Sequence, residues 1–460
     1  MKNKKTTWIL WSVLTVAIII YFGYRITSDD KKIFVPGEMT HGHHQIEMAC
    51  NQCHTDEFGG GEVLQKSCVN CHAEELKIID DSHPKSKFTN PRNASRVKEL
   101  DARVCVSCHT EHQNEITGEM GVTLPEDFCF KCHQDVAENR PSHKGMKFTT
   151  CASAGCHNYH DNSSLYEDFL EKHIGESDLL AEPVNKTKSE TKSIALLSRY
   201  PVTQYPVKKL TATDMDGKAD VHNDNNVTYE WEMTGHAQSG VNCTACHQQK
   251  TESGKNVWLE KPTEQSCKSC HTEAVKGFLE GKHGMRIKAG LSPMTPAEAK
   301  QPMRANLHTK ELSCVSCHGA HKFDVKQAAV EACLGCHDDA HSKAYKKSPH
   351  FVTLHKEISG QAKKESGVSC ATCHMPAVVK ESDEHELVLT EHNQNLNLRP
   401  NEKMIRGVCM NCHGLGFSID SLADKNLINN NFNGMPSVHV ESIDMVKDRL
   451  SKRKKPGEGG

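Results

Sequence analysis

The sequence predicts a mainly α-helical chain with extensive loops, little β-structure and one transmembrane helix at its N-terminus. Three observations lead to this prediction. A short motif of two cysteines and a histidine recurs along the 460 residues at irregular intervals, which favours short helices joined by long loops. Only 5% of the residues are aromatic and 36% hydrophobic, so the side chains can form only a thin core. One stretch near the N-terminus carries no charge over 17 residues.

All of the cysteines belong to the recurring motif. The 22 cysteines form 11 pairs, and a histidine follows the second cysteine of every pair. Ten pairs have two residues between the cysteines, whereas the fifth, CASAGCH, has four. The pairs are Cys50 and Cys53, Cys68 and Cys71, Cys105 and Cys108, Cys129 and Cys132, Cys151 and Cys156, Cys243 and Cys246, Cys267 and Cys270, Cys314 and Cys317, Cys333 and Cys336, Cys370 and Cys373, and Cys409 and Cys412. The histidines are His54, His72, His109, His133, His157, His247, His271, His318, His337, His374 and His413.

Three kinds of site use paired cysteines. A disulfide framework explains an even number of cysteines, and zinc sites use Cys-x-x-Cys pairs, but neither requires a histidine after every pair. Covalent attachment of haem c requires all three residues, because two thiols join the porphyrin vinyl groups and the adjacent imidazole binds the iron. We therefore predict 11 covalently bound haem c groups, with the motif histidines as proximal iron ligands. The fold is then haem-cored, since the porphyrins supply much of the apolar interior.

The uncharged stretch Trp8–Tyr24 follows Lys2, Lys4 and Lys5. Its length is at the lower end for a spanning helix, and aromatic residues lie at both of its ends, where membrane interfaces favour them. A cleaved signal peptide is the alternative, but no small-x-small cleavage site follows the stretch. We therefore predict an uncleaved signal anchor in a bacterial inner membrane. Haem c is attached outside the cytoplasm in bacteria, so the rest of the chain is expected in the periplasm.

The motifs divide the chain into four parts. Residues 1–28 form the cytoplasmic tip and the transmembrane anchor, and residues 29–175 form a five-haem module. Residues 176–234 contain no cysteine and are polar, which predicts a linker or an extended arm. Residues 235–460 form a six-haem module that ends in a helix.

The balance of charges bears on the partners. The 56 lysines and arginines against 59 acidic residues give a formal net charge of −3, which argues against nucleic-acid binding. The propionates of the haems would make the assembled protein more acidic still. The expected partners are the membrane, redox proteins or membrane quinol, and a small oxyanion if the chain is an enzyme.

Nineteen histidines remain after the motif histidines are removed. A low-spin haem that transfers electrons has a second axial ligand, which is usually another histidine. Any single histidine could instead be an ordinary surface residue. Twelve lie at suitable distances from the motifs and are candidate distal ligands: His43, His44, His83, His112, His143, His160, His173, His236, His283, His321, His350 and His392.

The segments GVSCATCHMPAVV and VCMNCHGLGF resemble the last two haem sites of cytochrome c nitrite reductase. They also resemble the octahaem hydroxylamine oxidoreductase and tetrathionate reductase group, over about residues 230 to 450. The resemblance implies a catalytic haem at His271, overhung by His341 with Asp338 or Asp339. Residues before that region resemble only cytochrome c3-like and membrane-anchored quinol-oxidising cytochromes in general.

The sequence also departs from that group. Ala340 interrupts the expected Asp-His adjacency, so the two aspartates could be simply solvated and His341 could instead bind an iron directly. Oxidising members have a late tyrosine that crosslinks the catalytic haem, but no tyrosine follows Tyr345, which favours reduction. We therefore expect an electron-transferring cytochrome. The alternative is a terminal reductase of a small nitrogen or sulfur oxyanion with its catalytic haem at His271.

Overall fold

The computed structural model describes residues 4–28, 31–56, 59–79, 81–140, 143–144, 159–161, 167–183, 203, 206–219, 224–382, 385–398 and 403–453. The chain forms two compact units. The first contains Met1–Gln134 and Ala289–Leu291, and the second contains Asp135–Lys288 and Ser292–Gly460. The break after Gln134 differs from the module boundary expected at residue 175. The fifth motif lies outside the described residues, so the predicted four-part division stays a prediction.

Helices of the first unit are short apart from two. They are α1 (Lys4–Thr27), α2 (Gly61–Ile78), α3 (Lys85–Phe88) and α4 (Ala94–Glu99). Much of the remaining described chain consists of single 3₁₀ turns, such as Cys50–Gln52 and Cys105–Ser107, joined by loops.

The second unit has more helices, and most are also short. They are α5 (Val136–Asn139), α6 (Glu167–His173), α7 (Asn225–Glu232), α8 (Gly235–Gln238), α9 (Cys243–His247), α10 (Glu264–Lys268), α11 (Thr272–Glu280), α12 (Met285–Lys288), α13 (Cys314–His318), α14 (Val325–Ala329), α15 (Glu331–Cys336), α16 (Ala340–Ala344), α17 (Pro349–Ile358), α18 (Cys370–His374), α19 (Asn395–Leu398), α20 (Met404–Gly407), α21 (Leu415–Ala423), α22 (Lys425–Asn429) and α23 (Ser442–Arg453).

Strands of the described residues form two antiparallel hairpins. In the first, β1 (Gln248–Lys250) pairs with β2 (Asn256–Trp258). In the second, β3 (Ala377–Ser382) pairs with β4 (His385–Thr390), with Val378 opposite Leu389. The prediction of a mainly α-helical chain with little β-structure is therefore confirmed.

Helix α1 is the long apolar element that the sequence predicted at the N-terminus. Its 24 residues extend about 36 Å at 1.5 Å per residue, which is enough to cross a hydrocarbon layer of about 30 Å. None of its residues is buried against the rest of the chain. By length and composition, α1 can cross a membrane.

The apolar cores of the described residues are small. The largest is in the second unit and joins α6, α20, α21 and α23; its buried members are Leu170, Ile405, Leu415, Ile419 and Ile443. Two others have three buried residues each: Met215, Trp231 and Ala237 in one, and Val330, Leu334 and Tyr345 in the other. Leu334 lies between two motif cysteines, and the motif residue Cys370 packs against the same cluster. The third core is thus built around attachment motifs.

Candidate haem-binding sites

Each attachment motif in the described residues forms about one helical turn. The amide of the motif histidine donates to the carbonyl of the first cysteine, at 2.8 Å for His54 and Cys50 and 2.9 Å for His337 and Cys333. Residues i, i+3 and i+4 of a helical turn share one face. The turn therefore presents both thiols and the imidazole on the same side, as attachment to one porphyrin requires.

Polar residues before the first cysteine begin several of these turns. The Asn242 side chain accepts a hydrogen bond from the amide of Cys243, and Ser369 accepts one from Thr372 at the start of α18. Such caps satisfy amides that the first turn of a helix leaves without partners. The local sequence thus favours a turn where a motif begins. The fifth motif, with Cys151, Cys156 and His157, lies outside the described residues.

The alternative uses of paired cysteines find no support in the described geometry. The 20 cysteines that the structure describes are all free thiols. Nor do three or more His, Cys, Asp or Glu side chains of the described residues form a group that could hold a metal ion. A tetrahedral zinc site needs four such ligands.

Motif histidines instead face histidines from elsewhere in the chain. Within the described residues, eight motif histidines have such a partner, with ring centroids 5.9 to 6.3 Å apart. The pairs, with the motif histidine first, are His72 and His43, His133 and His83, His247 and His321, His271 and His236, His318 and His392, His337 and His283, His374 and His341, and His413 and His350.

This separation fits an iron between the two rings. An iron–nitrogen bond of about 2.0 Å on each side, plus about 1.1 Å from each nitrogen to its ring centre, places the centroids about 6.2 Å apart. Directly packed aromatic rings also lie about 4.5 to 7 Å apart, so the distance is compatible with both arrangements. What distinguishes these pairs is that each of the eight joins one motif histidine to one histidine from outside the motifs. The residues present therefore fit haem iron with two axial imidazoles.

Hydrogen bonds at Nδ1 prepare several of these rings to bind a metal. His247 donates from Nδ1 to the Leu259 carbonyl at 2.7 Å, and His413 donates to the Asp178 carbonyl at 2.8 Å. A carbonyl can only accept, so Nδ1 carries the proton and Nε2 keeps a free lone pair. Such partners of the second nitrogen fix the orientation of a metal-binding imidazole.

Burial keeps other rings neutral. It lowers the pKa of His283, His350 and His374 to about 4, with smaller contributions from neighbouring histidines. A neutral imidazole is the form that binds a metal ion. At neutral pH these three histidines are therefore uncharged, and one ring nitrogen of each has a lone pair for an iron.

A cavity of about 450 Å³ lies between the eighth and ninth attachment motifs. Its lining includes Cys317 and Cys336 together with the apolar side chains of Leu307 and Val315. Its volume lies within the range of cofactor sites, about 300 to 1,000 Å³. The two cysteines belong to different motifs, so the cavity adjoins one thiol of each of two neighbouring attachment sites.

Thiols of successive motifs lie close together within each unit. A hydrogen bond with Cys105 raises the pKa of the Cys68 thiol. In the same way, a hydrogen bond with Cys314 raises the pKa of Cys267, and one with Cys370 raises the pKa of Cys333. Weaker charge effects link five further pairs: Cys53 and Cys71, Cys108 and Cys132, Cys246 and Cys267, Cys317 and Cys333, and Cys373 and Cys412. Within each unit, the attachment motifs that the structure describes therefore follow one another in space in the order of the sequence.

The residues expected over the haem of His271 lie elsewhere. The His341 ring lies 6.0 Å from the His374 ring and donates from Nδ1 to the Ile428 carbonyl, while its Nε2 lies 3.2 Å from the side-chain amide of Asn431. Asp339 begins α16 by accepting from the amide and hydroxyl of Ser342. Asp338 forms an ion pair with Lys343 at 2.9 Å.

His271 itself faces His236, with centroids 5.9 Å apart. His236 thus lies where a second axial ligand of the seventh haem would lie. The geometry therefore favours the ligand role of His341 that the sequence left open, and it favours a closed site at His271.

Seven of the twelve candidate distal histidines occur in the eight pairs, and the other five have different contacts or partners. His112 donates from Nδ1 to the Gly37 carbonyl at 3.0 Å, and His173 bonds to Glu176 at 2.6 Å. His160 packs edge-on against Tyr159. As distal iron ligands, all twelve candidates stay predictions, and the geometry agrees with seven of them.

Comparison with known proteins agrees with this geometry. The model of the cytochrome c3 family matches residues 42–134 and 235–338, and each match contains four attachment motifs. These matches support a multihaem c-type cytochrome. They do not show the narrower nitrite reductase and hydroxylamine oxidoreductase group, which stays a prediction. No curated protein and no solved structure matches the chain.

The two matched regions of the cytochrome pair their histidines in the same way. His43 and His236 each lie seven residues before the first cysteine of their region and face the second motif histidine, His72 or His271. His83 and His283 each follow the second motif and face the fourth motif histidine. The two regions are therefore structural repeats of one four-motif unit.

Sequence analysis missed the groups that hold the ligands. Glu111 accepts from His43 Nδ1 at 2.6 Å and from the Thr40 amide and hydroxyl, each at 2.9 Å. Burial alone would raise the pKa of Glu111, but the hydrogen bonds of His43 and Thr40 lower it below the ordinary value. Its position in the sequence, between the motif histidine His109 and the candidate ligand His112, could have indicated that Glu111 lies beside a haem site.

Proposed function

We propose that this chain is a membrane-anchored cytochrome with 11 covalently attached haems that transfers electrons in the bacterial periplasm. One observation carries the proposal: eight motif histidines of the described residues each face a second histidine at the distance that one iron requires. Two imidazoles fill both axial positions of a haem and leave no position for a substrate. Such haems exchange electrons and do not bind reactants.

The order of the sites supports this function. Successive attachment motifs lie next to one another within each unit, as the neighbouring thiols show. Electron transfer between haems requires short separations, because the rate of electron tunnelling through protein falls steeply with distance. Haem supplies the change between ferrous and ferric iron, and the chain supplies ligands, burial and hydrogen bonds that set each potential. The donor we propose is membrane quinol or a redox protein, and the acceptor is another redox protein.

A terminal reductase with its catalytic haem at His271 is not proposed. His236 faces that site, and His341 faces His374. Both contacts support ligand roles for these histidines over roles in binding an oxyanion.

Mature protein should contain 11 haems per chain, nearly all of them low-spin. The pyridine haemochrome assay with intact mass spectrometry gives the number of covalent haems, and EPR gives the spin state of the ferric irons. The matched control is the variant Cys151→Ser with Cys156→Ser, which should contain ten haems. Fewer haems in the unchanged chain, or zinc at the thiols, would contradict the proposed count. A high-spin signal that shifts with nitrite or hydroxylamine would favour the enzyme.

The exported part should remain with the inner membrane because α1 anchors it. Its exposed apolar side chains, such as Trp8, Ile20 and Tyr24, favour the hydrocarbon layer and its interfaces. We expect haem-staining protein in the membrane fraction, resistant to washing with high salt and released by detergent. A variant with α1 replaced by a cleavable signal peptide should be soluble in the periplasm. Salt-released or soluble wild-type protein would show that the helix is removed or does not anchor.

A further inference from the structure

The second and seventh attachment sites are equivalent in the two repeats but differ around their ligands. In the second site, His43 donates from Nδ1 to the carboxylate of Glu111 at 2.6 Å. His72, on the other side, lies 3.4 Å from the carboxylate of Glu75. A carboxylate can only accept, so Nδ1 of His43 is the donor and Nε2 is left for iron.

Glu111 is a positioned group and not a mobile surface carboxylate. The Thr40 amide and hydroxyl both donate to it at 2.9 Å, and Thr40 itself is buried. With His43, three donors converge on this one carboxylate. The carboxylate oxygen is therefore held beside the imidazole.

The seventh site lacks both carboxylates. Aligning the third motifs, CVSCHTEH and CVSCHGAH, places Ala320 opposite Glu111. Counting three residues from the second motif histidine places Ala274 opposite Glu75. His236 packs edge-on against Phe323 at 4.6 Å and has no hydrogen bond to a carboxylate among the described residues. The two repeats therefore allow a direct comparison. Both have a pair of facing histidines at this site, but only the first repeat has carboxylates beside them.

We propose that Glu111, assisted by Glu75, holds the second haem at a lower reduction potential than the equivalent seventh haem. A carboxylate that accepts from an axial imidazole makes the ligand a stronger base. A stronger basic ligand favours ferric over ferrous iron, and hydrogen bonding around the ligand is one of the ways in which a protein sets a haem potential. The second haem is therefore the last of the two to be reduced and the first to be oxidised. Glu111 is a positioning residue that acts through His43.

This inference rests on the proposed function, because it takes His43 and His72 as ligands of one iron. The test is a spectroelectrochemical titration of the full-length mature cytochrome, with EPR of the oxidised protein. Glu111→Gln keeps an acceptor for His43 but removes the charge. When the titration of the variant is compared with that of the wild type, the reduction potential of one haem should be higher. The expected change is about tenfold in the ratio of reduced to oxidised haem, or about 59 mV for one electron. Low-spin signals should be kept.

Glu115→Gln is the matched control, because Glu115 lies four residues after Glu111, in the exposed part of the turn Asn114–Ile116, and loses the same charge. It should leave the titration within error of wild type. In the second repeat, Ala320→Glu should lower the potential of one component. No shift in Glu111→Gln, or an equal shift in Glu115→Gln, overturns the inference.

The failure of the ligand assignment would look different. His43→Ala should convert one low-spin haem into a high-spin haem. If His43→Ala changes no spin state, His43 is not an axial ligand, and the pairing on which the proposed function rests fails, whatever the Glu111 variant shows.

Discussion

Full-length chain produced in cells that cannot attach haem c is expected to be largely unfolded. The apolar cores of the described residues contain only five, three and three buried side chains. Folding must offset the conformational entropy of every residue that becomes ordered, and side-chain cores of this size do not. Attached porphyrins would supply further apolar contacts. The paired histidine rings, about 6 Å apart, leave room for an iron between them, and the cavity beside Cys317 adjoins two attachment motifs.

Far-UV circular dichroism and limited proteolysis test this expectation. The haem-free product should show little helix, no cooperative thermal transition and rapid digestion outside α1. The control is the same full-length chain matured in cells with the attachment system, which should unfold cooperatively and resist the protease. A haem-free product with the helix content and protease resistance of the matured protein would show that side chains alone specify the fold.

Replacement of His341 by alanine is expected to convert one low-spin haem into a high-spin haem. The ring centroids of His341 and His374 lie 6.0 Å apart, and a hydrogen bond to the Ile428 carbonyl orients His341. Loss of this ring should leave the tenth iron without a sixth ligand. The open position should bind cyanide or nitrite, which the wild-type site excludes. EPR and optical titration with these ions measure both effects. The change in the low-spin signal should equal the contribution of one haem.

His308→Ala is the matched control for this variant. His308 is another histidine of the second unit outside the motifs, it is exposed, and its bond to the Met303 carbonyl is long, at 3.4 Å. It should leave every spin state unchanged. If His341→Ala also leaves the low-spin signals intact, His341 is not a ligand, and the role of a proton donor over another haem becomes the better explanation.

The attachment motifs could be predicted because their chemistry is local. Two thiols and an imidazole within five residues form one helical turn, and caps such as Asn242 and Ser369 begin that turn from the adjacent residue. Helix α1 is equally local, since its length and composition alone fit a membrane. The repetition of CVSCHTEH as CVSCHGAH also indicated related modules, although the four-motif repeat emerged only from the histidine pairs.

The sixth ligands could not be assigned from the sequence. His318 faces His392, which follows the hairpin β3–β4, and His247 faces His321, which lies beyond two further motifs. Each partner is brought into place by loops and turns of the intervening chain, so its distance along the sequence carries little information. His341 illustrates this point, because CLGCHDDAH is compatible with both a proton donor and an iron ligand, and only the folded chain shows that its ring faces His374.

The sequence by itself determined that the chain is mainly helical with an apolar N-terminal helix, and it predicted where haem is attached and which histidine lies on the proximal side. These properties depend on bonds and contacts within one or two helical turns. Only the tertiary structure decided which histidines face each other, the order of the sites within each unit and the carboxylates beside the second site. Those properties depend on residues such as Glu111 and His43, which are distant in the chain and meet only after folding.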